Sequence, residues 1–256
     1  MQRHADLRHR LHAGILLLWA ALCGTPAAAE ETAGLRPFHA TYAASLNGMP
    51  LGFAVTLELT GMGANQWNLA LAASSAMVKY REQSQFRWQD CASIPQRYRY
   101  DFSGFGISRK LWLDFDHDKR RANGESRKGP LTYDFPADAT DELSLTFAAR
   151  CQFARGASEA QFNVATTNGM KHYTYRYEKR EEVDTPWGKI ETMRIERVRK
   201  AGDKRRSTLW VAPSLGYLMV KMEHVEKLGV RGSISLKKLE MADAAAPPAL
   251  TKAGAP

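Results

Sequence analysis

The chain has 256 residues, 44% of them apolar and 25% charged, with a formal net charge of +9. That balance excludes a wholly disordered or collagen-like chain, and 19 glycines with 11 prolines are too few for a low-complexity scaffold. The length suits one large domain or two small ones.

The first residues read as a secretory signal. Arg3, Arg8 and Arg10 precede the apolar run Ala13–Leu22, Pro26 breaks it, and Ala27-Ala28-Ala29 offers a small-x-small cleavage site before Glu30. Cleavage is expected after Ala29, which would make the protein periplasmic. Cys23 follows Leu22, where a lipoprotein signal needs a small residue, so lipidation is not expected. Removing residues 1–29 takes away three arginines and one aspartate and leaves +7, with no second apolar run near the 18 residues of a membrane span. Cys91 and Cys151 remain. An oxidising compartment and an even count predict that they pair, with two buried thiols as the alternative.

Along the chain, strands dominate. Phe38–Leu46 meets Asn47-Gly48, a two-residue hairpin signal. In the returning Leu51–Thr60, Phe53, Val55, Leu57 and Leu59 alternate with smaller or polar residues. Gln66–Ser74, Met77–Trp88, Gln96–Phe102 and Ile107–Phe115 follow in the same period of two. Asp116–Gly129 reads as a polar connection to Leu131–Phe135. Thr140–Phe153 breaks the pattern, with Leu143, Phe147 and Cys151 four apart. It predicts one helix, capped by Thr140 or Asp141, with Asp141 and Glu142 in its first turn and Gly156 ending it. Strands resume over Glu159–Thr166, Met170–Asp184, Ile190–Arg199, Arg206–Ala212 and Tyr217–Lys227, and a last one begins at Gly229. Met241–Pro256 is an Ala/Pro-rich tail with too little apolar bulk to fold.

Ten or eleven strands with hairpin-length links predict a mainly β domain over residues 30–240, between the signal peptide (1–29) and a disordered tail (241–256). The expected architecture is a strongly curved antiparallel sheet, or partly open β-barrel, with one α-helix packed on it. A β-sandwich is the alternative.

Four motifs carry a resemblance. They are Asn47-Gly48-Met49-Pro50-Leu51-Gly52; Asp141-Glu142-Leu143-Ser144-Leu145; Thr185-Pro186-Trp187-Gly188; and Leu209-Trp210-Val211-Ala212-Pro213 followed by Gly216-Tyr217-Leu218. In this order and spacing they resemble the exported bacterial family known as domain of unknown function 3108, over about Phe38 to Glu240. The resemblance implies an envelope location and a mostly β architecture, and it brings no catalytic residues. Met219 stands where members often have a proline. A curved sheet around a helix is also similar to periplasmic lipoprotein carriers, a likeness of fold alone.

Candidate chemistry is sparse. Asp114, Asp116, Asp118 and Glu125 have the spacing of a calcium loop, but Lys119 occupies the glycine position and basic residues crowd the segment, so a solvated hairpin tip is expected. His39, His117, His172 and His224 show no zinc spacing, no serine lies in a nucleophile elbow, and His224 shares a strand face with Val220 and Met222. No metal site, cofactor or catalytic set is predicted. Arg194, Arg197, Arg199, Lys204 and Arg205 fall in one hairpin. Export excludes nucleic acid as their partner, leaving an anionic envelope surface or a solubilising strand face. Tyr98, Tyr100, Tyr173, Tyr175 and Tyr177 form stripes that suit either an amphipathic ligand or core filling. The leading expectation is a non-enzymatic periplasmic protein that binds a lipid-like or apolar ligand in the curved sheet. A structural or interaction module of envelope assembly, working through the basic hairpins, comes second, and a hydrolase with a dispersed site third.

Overall fold

The computed structural model describes residues 34–241. The expected signal peptide with Cys23, and the expected tail beyond Met241, lie outside the described residues. The strands run in chain order β1 (Phe38–Leu46), β2 (Met49–Gly63), β3 (Gln66–Ser74), β4 (Val78–Gln89), β5 (Ala92–Gly104), β6 (Ile107–Asp116), β7 (Arg121–Ser126), β8 (Gly129–Asp134) and β9 (Thr140–Asp141). After helix α1 (Leu145–Ala154) come β10 (Glu159–Thr166), β11 (Gly169–Thr185), β12 (Gly188–Val198), β13 (Arg206–Ala212), β14 (Leu218–Val225) and β15 (Arg231–Met241).

All fifteen strands belong to one sheet, ordered β8 to β1, then β15 down to β9. Every neighbouring pair is antiparallel except β9–β10. Each hairpin therefore adds a strand beside its predecessor, and the sheet is closed in the middle by β1 against β15, the two ends of the domain. The β1–β2 turn has the expected two-residue form, with Asn47 at φ +49° and Gly48 at +82°, matching the twist of the flanking strands.

Alternation sets one face of this sheet inward. Phe38, Leu59, Leu69, Ser84, Tyr98, Leu113, Gly124 and Leu131 are successive cross-strand partners in a row running from β1 to β8. All but half-buried Leu131 are buried. Gly124 is required in that row, because a Cβ there would collide with the carbonyl oxygen of Trp112 and lie 2.8 Å from Leu113 Cδ2. The sheet curls far enough to bring β8 to β10, where Tyr133 Oη donates to the Thr166 carbonyl at 2.9 Å, yet no ladder joins these strands. The result is a single curled sheet that stops short of a barrel. The sandwich alternative is therefore wrong: its two faces would need two sheets.

Three details correct the sequence reading. The supposed polar connection contains β7, whose inward Ala122 and Gly124 are too small to give an apolar signal. Thr140 and Asp141 form β9 beside β10, so the helix starts later than expected and has no acidic residue in its first turn. Met241, assigned to the tail, ends β15 opposite Phe38. The C-terminal stop is as expected: Gly156 sits at φ +85°, and its N–H meets the Phe153 carbonyl at 3.0 Å.

Candidate functional site: the concave face beneath the helix

Helix α1 lies on the inward face, held at its entry and along one side. At the entry, the fully buried Asp141 carboxylate accepts four hydrogen bonds: from Leu143 N (2.9 Å), Ser144 N (2.8 Å), Ser144 Oγ (2.7 Å) and Ser84 Oγ of β4 (2.6 Å). Thr140 Oγ1 pairs with Ser93 Oγ of β5 at 2.6 Å. A carboxylate that saturates the free N–H groups ahead of the helix does the work of a cap from outside it. Along one side, Phe147 stacks on Phe86 (5.8 Å, 24°) and meets the edge of Trp88 at 6.4 Å. Cys151 forms a disulfide with Cys91 at the β4–β5 turn, with Cα atoms 5.8 Å apart.

Next to the helix entry lies a ring of tyrosines around two glutamates. Tyr80 and Tyr98 both donate to Glu82, the latter at 2.6 Å, and Tyr173 donates to Glu142 at 2.9 Å. The Arg197 guanidinium lies 3.4 Å over the Tyr173 ring. Burial pushes Glu142 up to about 7, helped by the charges of Glu82 and Asp141 and opposed by the Tyr173 bond and Arg197. Burial also raises Glu82 and Asp141, against the hydrogen bonds they accept. Tyr80, Tyr98 and Tyr175 are raised chiefly by burial, so they serve as neutral donors or packing groups. Sequence reasoning missed Glu82 and Glu142. For Glu82 a signal existed, since it occupies an inward position in Tyr80-Glu82-Ser84-Phe86-Trp88, where a charge is out of place.

On the other flank of α1 the interior is apolar and incompletely filled. A cavity of about 90 Å³ is lined by Leu57, Leu145, Phe153, Ile195, Leu209 and Met219, among others, with Arg150, Tyr175 and Tyr217. Phe38, Arg150, Tyr217 and Leu218 also line an adjoining groove of about 400 Å³ that reaches Arg36, Pro213 and Met241. Tyr217 stands there at φ +60°, a left-handed conformation costing a non-glycine residue about 1–3 kcal/mol. Arg150 lies 5.1 Å over the Phe147 ring, and its buried Nε meets no hydrogen-bond partner among the described residues. Burial lowers Arg150 to about 10, which leaves it cationic at neutral pH. Its spacing of three from both Phe147 and Phe153 marks it as a helix residue on the apolar side.

The residues expected to matter thus divide. Tyr98 and Tyr173 bind the two glutamates, Tyr100 packs edge-on to Tyr80 at 5.5 Å, and Tyr175 lines the cavity. Tyr177 joins the apolar group around Phe153 and Ile195. Of the basic hairpin, Arg197, Arg199, Lys204 and Arg205 line one open groove of about 420 Å³, together with the carboxylates Glu178, Glu196 and Asp203. Arg194 pairs with Glu196 at 2.5 Å, and Arg205 with Asp203 at 2.7 Å. Arg199 approaches Asp203 at 3.8 Å, Arg197 covers Tyr173, and Lys204 is exposed. Asp114 goes to Arg97 and Arg99, while Asp116 takes Lys119. His224 bridges Ser207 Oγ (2.8 Å) and Glu226 (3.1 Å). Ser207 and His224 are cross-strand partners, which accounts for that chain of contacts, and neither lines the cavity or the groove. Among the described residues no group of three His, Cys, Asp or Glu side chains is placed to hold a metal ion. No helix there is long and apolar enough to cross a membrane.

These features define a one-sheet, curled β protein with a helix over its concave face. The Brucella abortus protein described as a beta-barrel-like protein of domain of unknown function DUF1849 has the same fold: TM-score 0.57, 11% identity, 82% of this chain and 99% of that one. A DUF1329 family protein from Desulfovibrio piger (TM-score 0.33, 12% identity, 85% and 90% covered) and the hypothetical lipoprotein YmcC from Escherichia coli (0.29, 9%, 83% and 89%) are more distant. No curated protein matches the sequence. The family described as "Protein of unknown function (DUF3108)" matches residues 41–236, and the chain belongs to it.

Proposed function

We propose that the protein is an exported envelope protein that binds a lipid-like or apolar ligand between α1 and the concave face of its sheet. Residues 1–29 serve as its export signal, and its single domain ends with β15 at Met241. The observation that carries this reading is the unfilled apolar cavity beside the helix, continuous in its lining with the larger groove. Protein interiors are packed to crystal density, so a cavity walled by Leu209, Ile195 and Phe153 leaves contacts unmade that an alkyl chain would make. The cavity alone is smaller than the roughly 300 Å³ at which ligand pockets begin, whereas the groove is of that class. The paired state of Arg194, Arg199 and Arg205 favours this reading over a polyanion-binding hairpin, because charges already matched by Glu196 and Asp203 have less to offer a partner.

The test is mass spectrometry of the protein purified without detergent, together with organic extraction of the same sample. An amphiphile that co-purifies with wild type and is absent from Leu209→Trp, which fills the cavity, supports the reading. The absence of any co-purifying amphiphile, together with no binding of the neutral probe N-phenyl-1-naphthylamine, would sink it.

A further inference from the structure

Arg150 occupies an unusual position for a cation. It is a wall of both the apolar cavity and the groove, at the place where the two share Phe38, Tyr217 and Leu218. Among the described residues, those lining the two voids include no aspartate or glutamate. A buried guanidinium is normally paired, because desolvating it uncompensated is expensive. Arg194, Arg199 and Arg205 of the basic hairpin each have a carboxylate within 4 Å, yet among the described residues Arg150 has the face of Phe147 and no carboxylate. The helix is fixed to β4 and β5 by the Phe147 stack and the Cys91–Cys151 disulfide, so Arg150 is carried on a rigid element and does not need to search for its partner.

We infer that Arg150 is the headgroup site of the ligand, and that the ligand is an anionic amphiphile: an alkyl chain ending in a carboxylate or a phosphate. The chain lies against the Leu209, Ile195 and Phe153 walls, and the head meets the guanidinium at the neck between cavity and groove. Arginine suits both heads, because its planar fork donates two parallel hydrogen bonds to either anion. This inference rests on the proposed function, since it names the chemical class that the same cavity takes.

The experiment measures displacement of N-phenyl-1-naphthylamine by four compounds with one tail, kept below their micellar range: dodecanoate, dodecyl phosphate, dodecan-1-ol and dodecyltrimethylammonium. The purified chain and its Arg150→Met, Arg150→Lys and Leu209→Trp variants are compared. Wild type is expected to take dodecanoate and dodecyl phosphate about 10- to 100-fold more tightly than dodecan-1-ol, the range of a hydrogen bond to a charged group. The ammonium compound is expected to be weakest. A preference shown by the phosphate alone assigns a phospholipid-type head, and one shown by both anions assigns either head. Arg150→Met keeps the aliphatic stem and should erase the anion preference while leaving dodecan-1-ol unchanged. Arg150→Lys should restore part of it. The melting temperature of Arg150→Met is expected at or above wild type, because a buried unpaired charge is removed.

Equal affinity for dodecan-1-ol and dodecanoate in wild type overturns the headgroup site. So does an anion preference that survives in Arg150→Met, or a lowered melting temperature there with unchanged selectivity, which would make Arg150 structural. Failure of every compound and of the probe itself overturns the proposed function instead.

Discussion

The buried glutamates make the fold more stable in mild acid than in mild base, the reverse of the usual order. Glu142 titrates near 7 in the folded protein against an ordinary 4.5. Between those values the folded chain holds a proton that the unfolded chain has released, so raising the pH favours unfolding. The elevated group contributes its full stability below about pH 4.5 and loses it as the pH rises through 7. At 1.36 kcal/mol per unit the displacement corresponds to about 3 kcal/mol. Glu82 and Asp141 are raised as well and share the charge, so the three carboxylates act as one coupled set. The groups facing Glu142 are Tyr173, Arg197, Glu82 and Asp141; the hydrogen bond from Tyr173 and, after it, the charge of Arg197 work against the effect. Urea unfolding at pH 5, 6, 7 and 8, with the disulfide intact, should show the midpoint falling with pH by about 1 M over the series. Glu142→Gln is neutral at every pH and retains an oxygen to accept from Tyr173. It should match or exceed wild type at pH 8 and flatten the slope. Glu159→Gln, on an exposed pair with Arg176, should leave the slope as it is. A wild-type midpoint that climbs from pH 5 to 8, or an unchanged slope in Glu142→Gln, would refute the reasoning.

Other consequences can be checked more quickly. Thiol titration of denatured, unreduced protein lacking residues 1–29 should find no free thiol, and Cys91→Ala with Cys151→Ala should cost about 4 kcal/mol for a loop of 60 residues, read by urea unfolding. Phe147→Ala removes the ring that stacks on Phe86 and meets Trp88 and should cost about 3–5 kcal/mol, seen as a large fall in melting temperature. Gly124→Ala should destabilise by about 1–3 kcal/mol or block folding, because backbone of β6 occupies the space its methyl needs; soluble yield and melting temperature decide. Leu209→Trp should stay folded and lose N-phenyl-1-naphthylamine binding.

Alternation carried most of the fold. Where inward positions are bulky, as in Phe53–Leu59 or Trp67–Leu71, the period of two is visible and the strands lie where it puts them. It fails where the inward residues are small or polar. Ala122 and Gly124 face inward because Leu113 and Phe115 already fill that space, so β7 looks like a loop in sequence. Thr140-Asp141 reads as a helix cap because these residues favour caps, and whether an aspartate caps from inside a helix or from a neighbouring strand depends on a partner 57 positions away, Ser84. The same limit applies to the site. A tyrosine stripe predicts that rings face one side, and it does not tell which rings end on a glutamate and which on a void. Tyr98 and Tyr175 illustrate the two fates from the same local pattern.

The two flanks of α1 follow from one economy of space. On the β4–β5 side the three buried carboxylates all find partners: Asp141 has four donors, Glu82 has two tyrosines and Glu142 has one. Such a network rigidifies the helix entry only while it is complete, since each unmade bond in that environment is costly. The β12–β14 side has the opposite character, with apolar walls, an unfilled volume and an arginine whose buried Nε meets no partner among the described residues. The arginine's isolation among apolar walls has a physical use once an anion and an alkyl chain arrive together, because the fixed flank supplies the rigid support and the unfilled flank supplies the room.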